Sequence, residues 1–385
     1  VSQSYQLITK PDDLLTFCQQ AQRADFLAVD TEFVRTRTYY AKLGLVQVQA
    51  DHHIALIDPV ELHADSSEDG LAPLWQLFAD PQKTLVIHAG GEDYEILNLH
   101  MGSLPNAIFD TQIASAMLGE GDALGYAAMI EQRLGVELDK SQSRTDWMQR
   151  PLAQEQLDYA AADVLYLSEV YPQLLAQAEQ QKKLELILQE SAWQAEKRAQ
   201  QIPDTWLFLY FGNAWQCTPE QLSVLRELVA WRIQRARSAD LPLGFIAKDH
   251  VLLDIARRMP SSKGQLHSIK ELSSVTIRYA GDQMLEAIRQ GQENGPLQLK
   301  LQRINDIRGY KVLFNKIKAL AQDVAQELAI PAALVASRRQ INDVLHWCVH
   351  IPSHAQHELP LPDLFASWRG AKLRASIEAL IKESD

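Results

Sequence analysis

Short apolar runs of strand length alternate with helical patterns through the first half of the chain. Tyr5–Thr9 is one such run, and Pro11 opens a helical pattern that reaches about Arg23. Phe26–Thr31 (FLAVDT) predicts a buried strand ending in carboxylates. Gly44–Ala50 alternates with period two, and His53–Asp58 follows after a polar break. Leu71–Ala79 predicts a helix, Thr84–His88 a strand, and Gly91 to His100 a further helix. After Asp110 the pattern is helical, with Gln154–Ala178 the longest continuous stretch. Three consecutive strands on short links, then helices and one more strand, predict a mixed α/β sheet. A purely parallel sheet would need a long crossover at every step.

Beyond Gln201-Ile-Pro-Asp204 the strand signals stop, and helical patterns are broken by Leu241-Pro-Leu-Gly, Met259-Pro-Ser-Ser and Gly291-Gln-Glu-Asn-Gly-Pro296. The last of these reads as the main linker. The second half also repeats itself. A shift of 89 lays Leu241–Ala247 over Ile330–Ala336, Leu252 over Ile341, Asp254 over Asp343, Gly281 over Gly370 and Ile288 over Ile377. One offset serving five landmarks points to two copies of a small helical module.

A chain of 385 residues has room for two or three domains. No apolar run approaches the ~18 residues of a spanning helix, so no membrane is expected. Val1-Ser-Gln-Ser-Tyr5 carries no basic stretch leading into an apolar one, so no secretory signal is expected. Cys18, Cys217 and Cys348 lie far apart, which excludes a cysteine zinc site and suits a reducing cytoplasm. The net charge of −12 divides unevenly: residues 1–205 carry 14 Lys+Arg against 31 Asp+Glu, and residues 206–385 carry 23 against 18. An acidic half of −17 is therefore joined to a basic half of +5.

The acidic half holds the candidate chemistry. In Asp30-Thr31-Glu32 the two carboxylates point to one face of a strand. Asp93 lies where a strand gives way to a helix, in His88-Ala-Gly-Gly-Glu-Asp93. Tyr159 and Asp163 are an i,i+4 pair on the long helix. Carboxylates gathered without cations raise one another's pKa values, and divalent ions relieve that cost. Oxygen-only ligands select hard Mg²⁺ or Mn²⁺. Two such ions can activate a water and stabilise the leaving oxygen of a phosphodiester, with a phenol placing the water. Singly, each motif is an ordinary solvated pair, helix cap or edge hydrogen bond; the three in order carry the reading.

These segments resemble the three exonuclease motifs of the DEDD superfamily of 3′–5′ exonucleases, and within it the ribonuclease D family. The matching stretches are DTEFVRTRTYYAKLGLVQVQ (30–49), VIHAGGEDYEIL (86–97) and LDYAAADVLYL (157–167). The repeated module resembles the helicase-and-RNase-D C-terminal (HRDC) domain. The resemblance implies a ribonuclease-H-like α/β domain with a mixed sheet of about five strands at 1–205. HRDC-like helical domains at 206–293 and, more divergent, at 294–385 would follow. It implies that Asp30, Glu32, Asp93 and Asp163 hold two divalent ions, Mg²⁺ first, with Asp30 bridging them and Asp93 often acting through a water. Tyr159 would orient the nucleophile. A sister branch has His five residues before the last Asp, where this chain has Asp158 followed by Tyr159, so it falls in the tyrosine branch. Ala41 stands where relatives tend to have Pro, a loop departure that leaves the carboxylates intact.

The expected activity is trimming of RNA 3′ ends, tRNA precursors among them, to nucleoside 5′-monophosphates by a cytoplasmic monomer. The basic half would draw the RNA backbone, with Arg257, Arg258, Lys263, Lys270 and Arg278 as candidates. A DNA-directed exonuclease on the same site is the alternative within the class, because the motifs do not tell ribose from deoxyribose. A vestigial RNA-binding scaffold is the alternative outside it, opposed by the intact acidic set. His52, His53 and His88 lack metal-ligand spacing, and His346 and His350 lack the intervening Glu of H-E-x-x-H. Phe33, Tyr39 and Tyr40 could stack on a base or pack in a core. Gly90-Gly91 lacks the Gly-Lys-Ser/Thr ending of a phosphate loop.

Overall fold

The computed structural model describes residues 4–64, 70–139, 141–142 and 145–383. Packing divides the chain into two compact units. The first takes Val1–Val34, Ala41–Gln200 and Gln322–Val335; the second takes Arg35–Tyr40, Gln201–Ala321 and Ala336–Asp385.

In the first unit the elements run β1 (Tyr5–Ile8), α1 (Pro11–Ala21), β2 (Phe26–Val34), β3 (Lys42–Ala50), β4 (His53–Ile57), α2 (Pro59–Ala64) and α3 (Ala72–Phe78). They continue as β5 (Thr84–Ile87), α4 (Gly91–Met101), β6 (Ala107–Asp110), α5 (Thr111–Leu118), α6 (Tyr126–Leu134), α7 (Gln154–Gln180) and α8 (Leu184–Ala199). The sheet order is β1-β4-β3-β2-β5-β6. The β2-β3-β4 meander is antiparallel, and β1, β5 and β6 join parallel to their neighbours. This is the expected mixed sheet, with six strands rather than about five. The extra strand, β6, spans only Ala-Ile-Phe-Asp and runs directly into α5, so its apolar pair looks like the start of a helix in sequence.

β2 is central and longer than FLAVDT suggested. It continues to Val34 because Glu32, Phe33 and Val34 keep pairing with Leu45, Leu43 and Lys42 of β3, through a bulge at Glu32/Phe33. Its odd positions Leu27 and Val29 enter a core with Leu14 and Phe17 of α1, Leu74 and Phe78 of α3, and Ile96 and Leu97 of α4. Full burial of each such side chain removes apolar area worth about 1.5–3 kcal/mol. The even positions face the other way, where α7 lies across the sheet.

The second unit contains no strand among its described residues. α9 (Pro219–Ala239), α10 (Leu243–Ile246), α11 (Asp249–Arg258), α12 (Lys263–Leu266) and α13 (Ser274–Glu293) are followed by α14 (Tyr310–Leu328), α15 (Ala332–Val335), α16 (Arg338–His350), α17 (Ser353–Gln356) and α18 (Ser367–Lys382). The end of α14 and all of α15 group with the first unit. α10 and α15 begin and end 89 residues apart, and α11 and α16 begin at the same offset, so the repeat in sequence is a repeat of helices.

Three of the expected linker residues, Gly291, Gln292 and Glu293, lie elsewhere. Gly291 is inside α13, which runs on to Glu293. A Cβ at Gly291 would stand 2.5 Å from Val224 Cα and 2.9 Å from Val224 N on α9, so glycine there permits close helix contact. The Gly-rich composition that reads as a linker is thus a packing device for its first residue. Gly291→Ala is expected to lower the thermal midpoint of the helical unit, since overpacking costs about 1–3 kcal/mol and exceeds the helix-propensity gain of about 1 kcal/mol. A raised midpoint in a calorimetric scan would show that propensity wins and the contact is loose.

Candidate active site

Strand alternation on β2 turns Asp30 and Glu32 toward α7. α7 is a 27-residue helix whose buried side includes Leu157, Ala160, Ala161 and Val164. Docking that side on the sheet places Asp163 beside the strand carboxylates. One carboxylate oxygen from each of Asp30, Glu32 and Asp163 lies within 4.8 Å of the others. Tyr159, one turn earlier, hydrogen-bonds Asp163.

Asp93 stands outside that trio. It lies in the first turn of α4. There the Thr31 hydroxyl, which alternation turns away from Asp30 and Glu32, donates to its carboxylate. Asp93 remains close enough for its charge to raise the pKa of both Asp30 and Glu32. Four of the sequence-derived candidates therefore come from β2 and α7, and the remaining one approaches through Thr31.

Burial is the main cause of strong pKa elevation here, and like charge adds to it. Asp30 is driven well above the usual carboxylate range by desolvation, then by Asp163, Asp93 and Glu32. Glu32 is pushed up to about 9 by desolvation and by Asp163 and Asp93. Desolvation raises Asp163 to about 7 against the lowering effect of Tyr159, and raises Asp93 to about 6 against that of Thr31. The donor set is all oxygen, half-buried and short of positive charge, which fits hard divalent cations.

The frame around the site was not singled out from sequence. Asp110, at the end of β6, accepts from Ala89 N (3.0 Å), Gly90 N (3.1 Å) and the Tyr94 hydroxyl (2.9 Å), which fixes the turn leading to Asp93. The same carboxylate caps α5 through Gln112 N and Ile113 N. The Tyr126 hydroxyl donates to the Asp163 carbonyl, bracing α7 at the residue that matters. Behind Tyr159, the Trp147 ring lies 6.2 Å away, and the Trp147 carbonyl would be 2.7 Å from any Cβ at Gly44. Arg150 clamps this segment, with both Asp58 contacts at 2.6 Å and further bonds to the Gly44 and Trp147 carbonyls. The polar tails of the apolar runs were the available signal for Asp58 and Asp110; Gly44 had none.

His88 is held by the Thr111 hydroxyl at 3.0 Å, as a hydrogen-bonded interior histidine. It also borders a cavity of about 130 Å³ with Asp30, Tyr126, Tyr159 and Asp163. A second cavity, about 310 Å³, is lined by Leu138, Gln142, Glu155, Asp158, Tyr159 and Asp163. Tyr159 and Asp163 border both, so the candidate nucleophile-orienting group stands where a ligand can reach it. Of the basic residues named for RNA attraction, Arg258 and Lys263 are paired with Asp254 (2.8 Å) and Asp282 (2.7 Å). Arg257 reaches Gln216 and Arg278 lies over the Tyr279 ring.

A family profile described as 3′-5′ exonuclease matches residues 5–179, an HRDC domain profile matches 221–288, and a profile for the C-terminal HRDC domain of ribonuclease D matches 308–377. Ribonuclease D of Cronobacter turicensis is 37% identical over 98% of this chain and 100% of its own length. Ribonuclease D of Escherichia coli is 38% identical over 99% of each chain. The chain belongs to the ribonuclease D family. The crystal structure of the Escherichia coli family member, described as an exoribonuclease involved in structured RNA processing, superposes with a TM-score of 0.89 over 99% of both chains. The catalytic core of RRP6 from Trypanosoma brucei, 22% identical over 76% of this chain and 81% of its own with a TM-score of 0.60, shares the fold. Family membership makes the chain a 3′–5′ exoribonuclease with a divalent-metal requirement.

Proposed function

We propose that the chain removes nucleotides one at a time from RNA 3′ ends, tRNA precursors among them, releasing nucleoside 5′-monophosphates. The observation that carries this is the convergence of Asp30, Glu32 and Asp163 within 4.8 Å, with Tyr159 bonded to Asp163. Asp30, Glu32 and Asp163, with Asp93 reached through Thr31, would hold two divalent ions, Mg²⁺ before Mn²⁺. Such ions, when bound, would supply a lowered pKa for an attacking water and charge stabilisation for the leaving 3′-oxygen.

The chain's own groups then have defined tasks. Burial and the neighbouring carboxylates keep the Tyr159 phenol protonated, far above its ordinary range, so it acts as a neutral hydroxyl that orients the water. Thr31 holds the Asp93 carboxylate in place, and Tyr126 fixes the backbone at Asp163. We assign residues 1–205 to catalysis and 206–293 and 294–385 to the two HRDC-like domains, in a monomer working in the cytoplasm. No helix among the described residues is long and apolar enough to cross a membrane.

A time course on 5′-labelled single-stranded RNA, in Mg²⁺ and in EDTA, tests the reading. A Mg²⁺-dependent ladder shortening from the 3′ end, with mononucleotide product, is expected. Intact RNA in both Mg²⁺ and Mn²⁺ alongside measurable binding would leave a scaffold instead. Faster digestion of matched DNA would move the substrate class.

A further inference from the structure

A third cavity, of about 450 Å³, lies wholly within the helical unit, and none of its lining residues belongs to the carboxylate cluster. Tyr210, Phe211 and Trp215 wall it from the segment before α9. Arg303 and Asn305 contribute from the segment before α14, and His346 and His350 from α16. Its volume is in the range of small-molecule sites, roughly 300–1,000 Å³.

The chemistry of this wall is specific. The Arg303 guanidinium lies 4.2 Å from the Trp215 ring centroid, presenting a flat cation backed by an indole. The Tyr210 ring is 45% exposed and packs 5.8 Å from the His346 ring. The two histidines touch through their Nδ1 atoms at 2.9 Å, so one ring donates and the other accepts. Burial lowers the pKa of both, His346 to about 4, which keeps the pair neutral. His346 Nε2, like His350 Nε2, is buried with no hydrogen-bond partner among the described residues. Whichever ring donates its Nδ1–H has a bare acceptor at Nε2, and the other keeps an N–H there, so the pair offers one acceptor and one donor. His350 itself is only 3% exposed.

Flat stacking surfaces beside a buried acceptor are what a nucleobase requires, with its two π faces and its edge N–H donors. A metal fits poorly, because the Nδ1 atoms already bond each other. The carboxylate trio is the three-ligand cluster found among the described residues. We propose that this cavity receives an unstacked nucleobase of the RNA substrate, layered on Arg303 and Trp215, with its polar edge hydrogen-bonded to the unpartnered Nε2 atoms of His346 and His350. The second unit would thereby hold RNA by its bases as well as by charge. The inference rests on RNA being the substrate, which the digestion assay settles independently.

The test uses the full chain in EDTA, so that RNA binds without being consumed. Affinity is measured for a single-stranded RNA and for its counterpart made abasic everywhere upstream of the 3′-terminal nucleotides. Wild type should bind the abasic strand about tenfold more weakly, the scale of one stacked base. Trp215→Ala should weaken the intact strand about tenfold and leave the abasic strand unchanged. Arg303→Gln, at an exposed position where folding is at little risk, should do the same in smaller measure. Lys263→Gln, a purely electrostatic control, should affect both strands equally. Equal losses on both strands for Trp215→Ala and Arg303→Gln, or no loss with either, would overturn the proposal. So would a cavity that binds free nucleoside monophosphate, lost in Trp215→Ala, while RNA affinity stays unchanged.

Discussion

Asp30→Asn is expected to reduce RNA turnover by at least about a thousandfold, since metal stabilisation supplies several kcal/mol and each 1.36 kcal/mol is tenfold. The same change should make the metal-free protein less sensitive to alkali. In the folded chain Asp93, Asp163 and Glu32 titrate near 6, 7 and 9 instead of near 4, because burial disfavours their charged forms. A carboxyl raised in this way supports folding while protonated and loses that support as pH climbs through its folded value. In EDTA the wild-type thermal midpoint should therefore fall between pH 5 and pH 9, and Mg²⁺ should restore it most at pH 9. Asp30→Asn, lacking one of the mutually repelling groups, should fall less and gain little from Mg²⁺. Near-wild-type turnover, or an equal Mg²⁺ response at pH 9, would remove Asp30 from the metal site.

Tyr159→Phe is expected to lower kcat by about a hundredfold or more, the range for a group that positions or transfers a proton, with KM little changed. The ring and its contact with Trp147 survive, so the loss isolates the hydroxyl. The hydroxyl also lowers the pKa of Asp163, so its removal should raise the pH needed for Mg²⁺ to bind the metal-free protein. A calorimetric titration at pH 7 should show weaker Mg²⁺ binding than wild type, and at pH 9 the two should converge. A wild-type kcat would exclude Tyr159 from the reaction. An unchanged Mg²⁺ affinity at pH 7 would show that the hydroxyl serves the water alone.

Much of this molecule was legible in one dimension because much of it is periodic or local. Strand alternation at Asp30 and Glu32, the one-turn spacing of Tyr159 and Asp163, and the offset of 89 between modules depend on neighbours in the chain. Each was readable before any contact was known. So was the charge imbalance between the halves, which needs no geometry.

What the tertiary structure decided depends on groups far apart in sequence. The convergence of β2 with α7 is a packing result, and so is the hydrogen bond that ties Asp93 to Thr31 of β2. β6 was invisible because it runs without a break into α5, and its pairing with β5 makes it a strand. Gly291 looked like a linker because glycine has one sequence signature for freedom and for close approach, and only Val224 distinguishes them. Asp110 and Arg150 draw their roles from hydrogen bonds to distant backbone, and the cavity beside His350 from three segments that no spacing rule joins. Periodicity is a property of the chain alone, whereas a site is a set of distances, and those exist once side chains have packed.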